Sequence, residues 1–318
     1  MQSFLDPAIL FFVFGLLAGA VKSNLEIPPA ISRFLSLYLL MALGLKGGFA
    51  LAASGLTAEV GRSLGLAIVL ALAVPALGYL LLRRFLNRFD AAALAATYGS
   101  VSAVTFITAV QRLDTLGLPY GGHMAAAMAL MESPAILMAV LLANLARRRQ
   151  GQAQQVPLRH VLHEALTDGA QLLLLGAMVI GLVSGEAGQA AMKPFAGDLF
   201  KGMLAFFLLD MGLLAARNVG GLRGQSWWLP AYALLAPPVH AALALALSAL
   251  LGLAPGNAAL LMVLAASASY IAVPAVLRHA IPEAQPALYF GMSLGLTFPV
   301  NILIGIPLYI GIAHRVLG

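Results

Sequence analysis

Two stretches of the sequence crowd hydroxyl side chains into otherwise apolar runs: Gly99-Ser100-Val101-Ser102-Ala103-Val104-Thr105 and Ala266-Ser267-Ala268-Ser269-Tyr270. Each combines hydroxyls with a potential break in a helix. Pro274 stands four residues after Tyr270, where it can occupy the first turn of a new helix without losing a needed hydrogen bond. A helix N-terminus carries free N–H groups and about half a positive charge, which suits an anion. Two such ends facing each other, edged by serine hydroxyls, would hold a small oxyanion without a dedicated arginine. Any one of these Ser or Thr side chains could simply bond back to its own helix and pack a small face. Paired at equivalent places in two runs, the clusters read as a binding region.

Three ionisable residues, Lys46, Glu132 and Asp210, lie deep inside apolar runs, where each is costly without a partner. Lys46 could neutralise either acid, and spacing does not choose between them. A structural ion pair or snorkelling toward an interface is the alternative role. The remaining charges mark the ends of connections and are expected to be solvated. His160-Val161-Leu162-His163-Glu164 has a spacing compatible with two metal ligands on one helical face. It sits beside a basic segment and reads instead as a solvated helix start, so no metal site is expected. The chain has no cysteine, which removes disulfides, thiolate metal sites and thiol nucleophiles. No zincin motif, phosphate-binding Gly-Lys-Ser/Thr loop or nucleophile–base pair can be assembled, so no catalytic residues and no enzyme activity are expected.

These residues need elements to carry them, and the composition says where those elements lie. Of 318 residues, 61% are hydrophobic and 9% charged, with mean hydropathy +0.94. An ordinary soluble domain is about 25% charged. A soluble enzyme and a nucleic-acid-binding protein are thereby excluded, and the partner of this surface is membrane lipid. Charges, Gly and Pro punctuate ten candidate spans, about 7–21, 28–53, 61–82, 91–112, 121–146, 160–184, 196–215, 226–251, 256–278 and 286–313. The first lacks the basic flank of a signal peptide and reads as a retained span. Gly-x-x-x-Gly spacings such as Gly15 to Gly19, Gly181 to Gly185 and Gly291 to Gly295 suggest close helix contacts.

The net charge of +6 is distributed unevenly. With the N-terminus outside, the inner connections collect Lys22, Arg83, Arg84, Arg88, Arg147, Arg148, Arg149, Arg159, Arg217, Arg223 and Arg278. The outer ends keep Arg62, Arg112, Lys193 and Arg315. The positive-inside rule then places both termini outside, in the periplasm of a cell with an inner membrane. The polar run around 147–159 is a basic cytoplasmic linker between a first five-span unit, 1–146, and a second, 160–318.

The two halves resemble each other in order. Leu40-Met41-Ala42-Leu43-Gly44-Leu45 parallels Leu208-Leu209-Asp210-Met211-Gly212-Leu213, and Ala73-Val74-Pro75-Ala76 parallels Ala236-Pro237-Pro238-Val239. Ser100-Val101-Ser102-Ala103 answers Ser267-Ala268-Ser269-Tyr270, and Glu132-Ser133-Pro134-Ala135-Ile136 answers Thr297-Phe298-Pro299-Val300-Asn301. Five spans per unit oblige the second to enter from the opposite side. The expected fold is therefore an all-α polytopic membrane protein of ten helices in two inverted five-helix repeats. Spans 4 and 9 are broken, as in secondary transporters that bind substrate near the midplane.

Six stretches together carry a family resemblance: Glu26-Ile27-Pro28-Pro29-Ala30-Ile31, Gly44-Leu45-Lys46-Gly47-Gly48, Gly99 to Thr105, Met131-Glu132-Ser133-Pro134-Ala135, Ala236-Pro237-Pro238-Val239-His240 and Ala265-Ala266-Ser267-Ala268-Ser269. In order and spacing the chain resembles the cyanobacterial-type sodium-dependent bicarbonate transporters, the SbtA family, over nearly its whole length. The resemblance implies a core domain of spans 3–5 and 8–10 packed on a gate domain of spans 1–2 and 6–7. It also implies an elevator-like homotrimer, sodium as coupling ion, and a PII-like cytoplasmic regulator. By matching position, Ser100, Val101, Ser102, Thr105, Ser267 and Ser269 would contact the anion. Glu132 falls where the family has Asp. Tyr270 replaces an expected Asp, Lys46 an expected Thr, and Asp210 an apolar residue. A site with one acid fewer and a tethered ammonium elsewhere predicts weaker dependence on sodium. The leading reading is a bicarbonate importer. The alternatives are a proton-coupled carrier of another small anion such as a short carboxylate, and an uncoupled channel or sensor on the same fold.

Overall fold

The computed structural model describes residues 6–149, 156–157, 159, 161–163, 167–218 and 225–318. Most of the basic linker, His160 and Glu164 of the candidate metal pair, and Arg223 lie outside the described residues. Among the described residues every regular element is helical. In chain order these are α1 Pro7–Ala20, α2 Pro29–Ser54, α3 Ala58–Leu82, α4 Arg88–Gly99, α5 Ala103–Leu116 and α6 Met124–Arg149. They are followed by α7 Gly169–Met192, α8 Phe200–Asn218, α9 Trp228–Leu250, α10 Pro255–Ala266, α11 Ala272–Ala280 and α12, Pro286–Leu317. Local chemistry sets several boundaries. Asp6, Asn87 and Asp168 accept hydrogen bonds from the first free N–H groups of α1, α4 and α7. Prolines occupy the first turns of α1, α2 and α10.

Among the described residues, seven helical stretches are long and apolar enough to cross a membrane, against the ten segments expected. The differences have physical causes. The first helix has 14 residues and reaches only about 21 Å at 1.5 Å per residue. The ninth expected segment is cut after Ala266, leaving helices of 12 and 9 residues. The sixth and seventh expected segments merge into one stretch, Gly169–Asn218, of 50 residues. Gly185, expected to be a contact glycine, instead lies inside that stretch with φ 54° and ψ −141° and nothing near it. A wide turn over Lys193–Asp198 follows. The chain reverses there: α2 runs alongside α7, because Gly44 meets Leu174 and Gly48 meets Met178. It runs against α8, because Ser32 bonds Asp210 while Lys46 lies over Phe200.

Glycines let these helices approach closely, as their spacing suggested. α1 packs along α8 with Gly15 on Leu209 and Gly212, and Gly19 on Leu213 and Ala216. Lys201 on α8 adds an ion pair to Asp6 at 3.3 Å. On α2, a Cβ at Gly48 would stand 2.1 Å from the Met178 carbonyl oxygen, a backbone atom that cannot rotate away. Gly48→Ala is therefore expected to force α2 from α7 at a cost of about 1–3 kcal/mol. The check is a lowered thermal midpoint in detergent. α1 packs on α8 and α2 packs on α7 and α8, while α3 to α6 and α9 to α12 carry or surround the two helix breaks.

Arg147 departs from the solvated linker expected for it. It is 4% exposed and clamps the end of α6 to the turn after α11. Its Nε and Nη2 donate to Glu283 at 2.8 and 2.7 Å, and Nη2 also donates to the Ala280 carbonyl at 2.9 Å. The guanidinium holds the Glu283 carboxyl below the usual glutamate range. A carboxyl that titrates lower when folded contributes fully above its unfolded pKa, and its contribution disappears as pH falls through the folded pKa. Thermal midpoints of the unsubstituted protein should fall on acidification below the ordinary glutamate range. Glu283→Gln should flatten that part of the profile.

Candidate binding site at the crossing of two broken helices

The two hydroxyl clusters meet. α4 ends at Gly99 and Ser100 turns extended, with φ −89° and ψ −177°; α10 ends at Ala266 and Ser267 does the same, with φ −82° and ψ 167°. The peptide segments cross antiparallel. The Ser102 N–H donates to Ser267 Oγ at 2.9 Å, and the Ser269 N–H donates to the Thr97 carbonyl at 2.8 Å. α3 supports the crossing from behind. A Cβ at Gly99 would lie 2.5 Å from the Pro75 ring, so only glycine lets the proline sit under the break. Asn301 on α12 donates to the free Ala266 carbonyl at 2.8 Å, and Tyr98 bonds Thr297 at 2.7 Å. Two carbonyls released by breaking the helices, those of Thr97 and Ala266, are thus taken up by named partners, as burial demands.

Each break opens a second half-helix whose first turn is held by a serine: Ser102 is the N-cap of α5, and Ser269 takes an N–H of the first turn of α11. Ser102 Oγ accepts from the Thr105 N–H at 3.2 Å and from the Thr105 hydroxyl at 2.9 Å; Ser269 Oγ accepts from the Val273 N–H at 3.2 Å. A hydroxyl that accepts in this way keeps its own hydrogen to donate. Beside the caps lies a cavity of about 230 Å³. Val101, Ser102, Ser269, Tyr270 and Glu132 line it, with Gln171, Asp168 and Ser36.

The expected site residues therefore divide. Val101, Ser102, Ser269, Tyr270 and Glu132 share the cavity. Ser267 spends its hydroxyl on the Leu264 carbonyl at 2.8 Å while accepting from Ser102, and Thr105 supports Ser102. Ser100 lines no part of this cavity; its Oγ is buried without a hydrogen-bond partner among the described residues. Glu132 accepts from Gln171 Nε2 at 2.7 Å and meets no cation among the described residues. Tyr270 fills the expected acid's place with a ring against Phe298, centroids 5.1 Å apart, and a hydroxyl directed at Met211 Sδ, 3.7 Å away. It also forms part of the wall of a wider cavity of about 670 Å³ that includes Ser32, Arg33, Asp210, Arg217 and Arg278.

Lys46 and Asp210 are not at the crossing, and neither pairs with the partners weighed for them. Asp210 accepts from the Ser32 hydroxyl. Lys46 Nζ lies 3.4 Å from Asp114 Oδ2, on an acid expected to be merely solvated. Gln171, Asp168, Thr97 and Asn301 were not singled out as site residues from the sequence. Gln171 could have been noticed as a polar residue within an apolar run, and Asn301 stands in one of the matching repeat segments. Nothing local distinguishes Thr97, which contributes a main-chain oxygen.

The sequence pattern of the Na+-dependent bicarbonate transporter superfamily matches residues 7–314, nearly the whole chain. The chain belongs to that superfamily. A search of curated proteins finds no match. Membership in this transporter superfamily, together with the apolar helices, identifies a multi-pass membrane protein of a transport family. In this superfamily member, the described residues contain no group of three or more His, Asp or Glu arranged to hold a metal ion. The carboxylates at the cavity are Glu132 and Asp168.

Proposed function

We propose that this protein is an importer of bicarbonate that works by alternating access, with the anion held at the crossing of the broken helices. The observation that carries the reading is the pair of serine-capped half-helices, bonded to each other and facing one cavity. The donors in this reading are the Ser102 and Ser269 hydroxyls, each of which accepts from its half-helix and retains a hydrogen. Preorganised neutral donors suit a small monovalent anion that must be released again.

Ten crossings in two inverted repeats are the architecture of this reading. Three observations support it. The pairs α1–α8 and α2–α7 exchange when the halves are swapped, α4 and α10 cross antiparallel, and the chain reverses within Gly169–Asn218. The glycine-packed body of α1, α2, α7 and α8 serves as the gate, and the body holding the breaks moves against it as an elevator. The Lys and Arg distribution supports an inner-membrane location with both termini outside. The homotrimer and the PII-like regulator rest on the family resemblance.

Coupling differs from the superfamily's description. Tyr270 has replaced an acid and Glu132 is bonded to a neutral amide, so a proton taken up by Glu132 serves as the coupling ion and sodium is dispensable. Labelled bicarbonate uptake into proteoliposomes, with sodium or with choline, tests both parts. Concentrative uptake in either medium is expected. Equilibration without accumulation would make the protein a channel, and accumulation only with sodium would overturn the coupling.

A further inference from the structure

Three cavities are strung along α2. The 670 Å³ cavity touches Ser32 and Ser36, the 230 Å³ cavity Ser36 and Leu40, and a third, of about 370 Å³, Leu43, Lys46 and Ala50. Two other helices repeat the order. On α5, Ala103 and Val104 face the 230 Å³ cavity, and Phe106, Val110 and Asp114 face the third. On α6, Met128 faces the former and Met124 the latter. The third cavity is thus the continuation, past the crossing, of the space that begins among the arginines. Ser32 and Lys46 are separated by about 21 Å of helix, so the first and third cavities belong to opposite ends of the molecule.

Lys46 is the cation of this third cavity. Its ammonium lies 4.2 Å from the centroid of Phe200 on α8, and its side chain is 27% exposed. Among the described residues its charged partner is Asp114, at 3.4 Å, longer than the 2.7–2.9 Å of a tight ammonium–carboxylate bond. The other Asp114 oxygen accepts from Tyr120 Oη at 2.8 Å. Asp114 and Tyr120 belong to the body of the broken helices, whereas Lys46 and Phe200 belong to the glycine-packed body. A carboxylate presents the same planar pair of oxygens as bicarbonate. The structure therefore contains its own stand-in for a small planar anion, resting loosely on Lys46.

We infer that Lys46 is an anion-capture site for bicarbonate or a short carboxylate at the outer mouth, and that Asp114 occupies it when no substrate is present. The inference rests on the transport reading above and on its sidedness. Movement of the broken-helix body withdraws Asp114 from Lys46 and leaves the ammonium, backed by an aromatic face, open to an anion from outside. Phe106 and Val110 then line the way down α5 to the serine caps.

Initial rates of labelled bicarbonate uptake by the full-length chain in proteoliposomes test the assignment. Lys46→Gln should raise the external KM about ten-fold, with the loss carried by KM rather than kcat. Lys46→Arg, which keeps the charge, should retain the low KM. Asp114→Asn removes the competitor and should lower KM several-fold. A plain clamp between the two bodies predicts something else: Lys46→Gln and Asp114→Asn both break the pair and would shift the same parameters in the same direction. That result, or an unchanged KM in Lys46→Gln, would overturn the capture role while leaving transport intact. Absence of bicarbonate uptake by the unsubstituted chain would overturn the transport reading and the capture role with it.

Discussion

Replacing Ser102 and Ser269 together by alanine should reduce bicarbonate uptake by at least about a hundred-fold. Each serine does two things at once: it caps a half-helix and leaves a hydroxyl hydrogen for a ligand beside the cavity. A hydrogen bond to a charged group is worth about 1.5–3 kcal/mol. Losing one from each side of the crossing removes about 3 kcal/mol or more, and each 1.4 kcal/mol is tenfold in binding. The caps contribute about 1 kcal/mol each to folding, so the double variant should still be isolated folded in detergent. Single variants should each retain measurable uptake. A double variant that folds and transports normally would place the anion elsewhere.

Glu132→Gln should abolish accumulation against a gradient while leaving exchange of bicarbonate across the membrane. Glu132 shares the cavity with Ser102 and Ser269, and it accepts a hydrogen bond from Gln171. An ionised carboxylate at roughly 5 Å from a bound anion repels it by about 3 kcal/mol at an effective dielectric of about 20. Loading the carrier therefore requires a neutralised Glu132, and that neutralising cation or proton is what ties substrate movement to a gradient. Glutamine removes the charge permanently and keeps the shape. The loaded carrier still moves, and so does the empty one without any coupling ion. Counterflow assays should read near normal and gradient-driven uptake near zero. Preserved accumulation in Glu132→Gln would remove it from the coupling step.

The candidate site was legible from the sequence where local patterns carry the chemistry. Serine clusters in the two halves of the chain marked the helix breaks, and Glu132, one of three ionisable residues noticed inside apolar runs, lines the cavity beside them. What was not legible depends on distant parts of the chain. Lys46 finds Asp114 across 68 residues, where the segment after α5 packs on α2 with Gly122 against Gly47 and Ala50. Asp210 finds Ser32 across 178 residues through helix packing alone. Arg147 had the pattern of a solvated linker residue, yet the turn at Glu283 folds over it and buries it. Gly185 had the spacing of a contact glycine and instead takes a positive φ where the long α7–α8 stretch bends. Periodicity and composition report the faces and lengths of helices; they do not report which helices become neighbours.

Transport as proposed requires an anion lying at the crossing of α4–α5 with α10–α11. A density map of the full-length protein in lipid nanodiscs, collected with and without saturating bicarbonate, tests it directly. The account predicts bicarbonate-dependent density within hydrogen-bonding distance of Ser102 and Ser269, with both helices still broken at Ser100 and Ser267. An empty crossing in saturating bicarbonate, or helices running unbroken through Ser100 and Ser269, would contradict it.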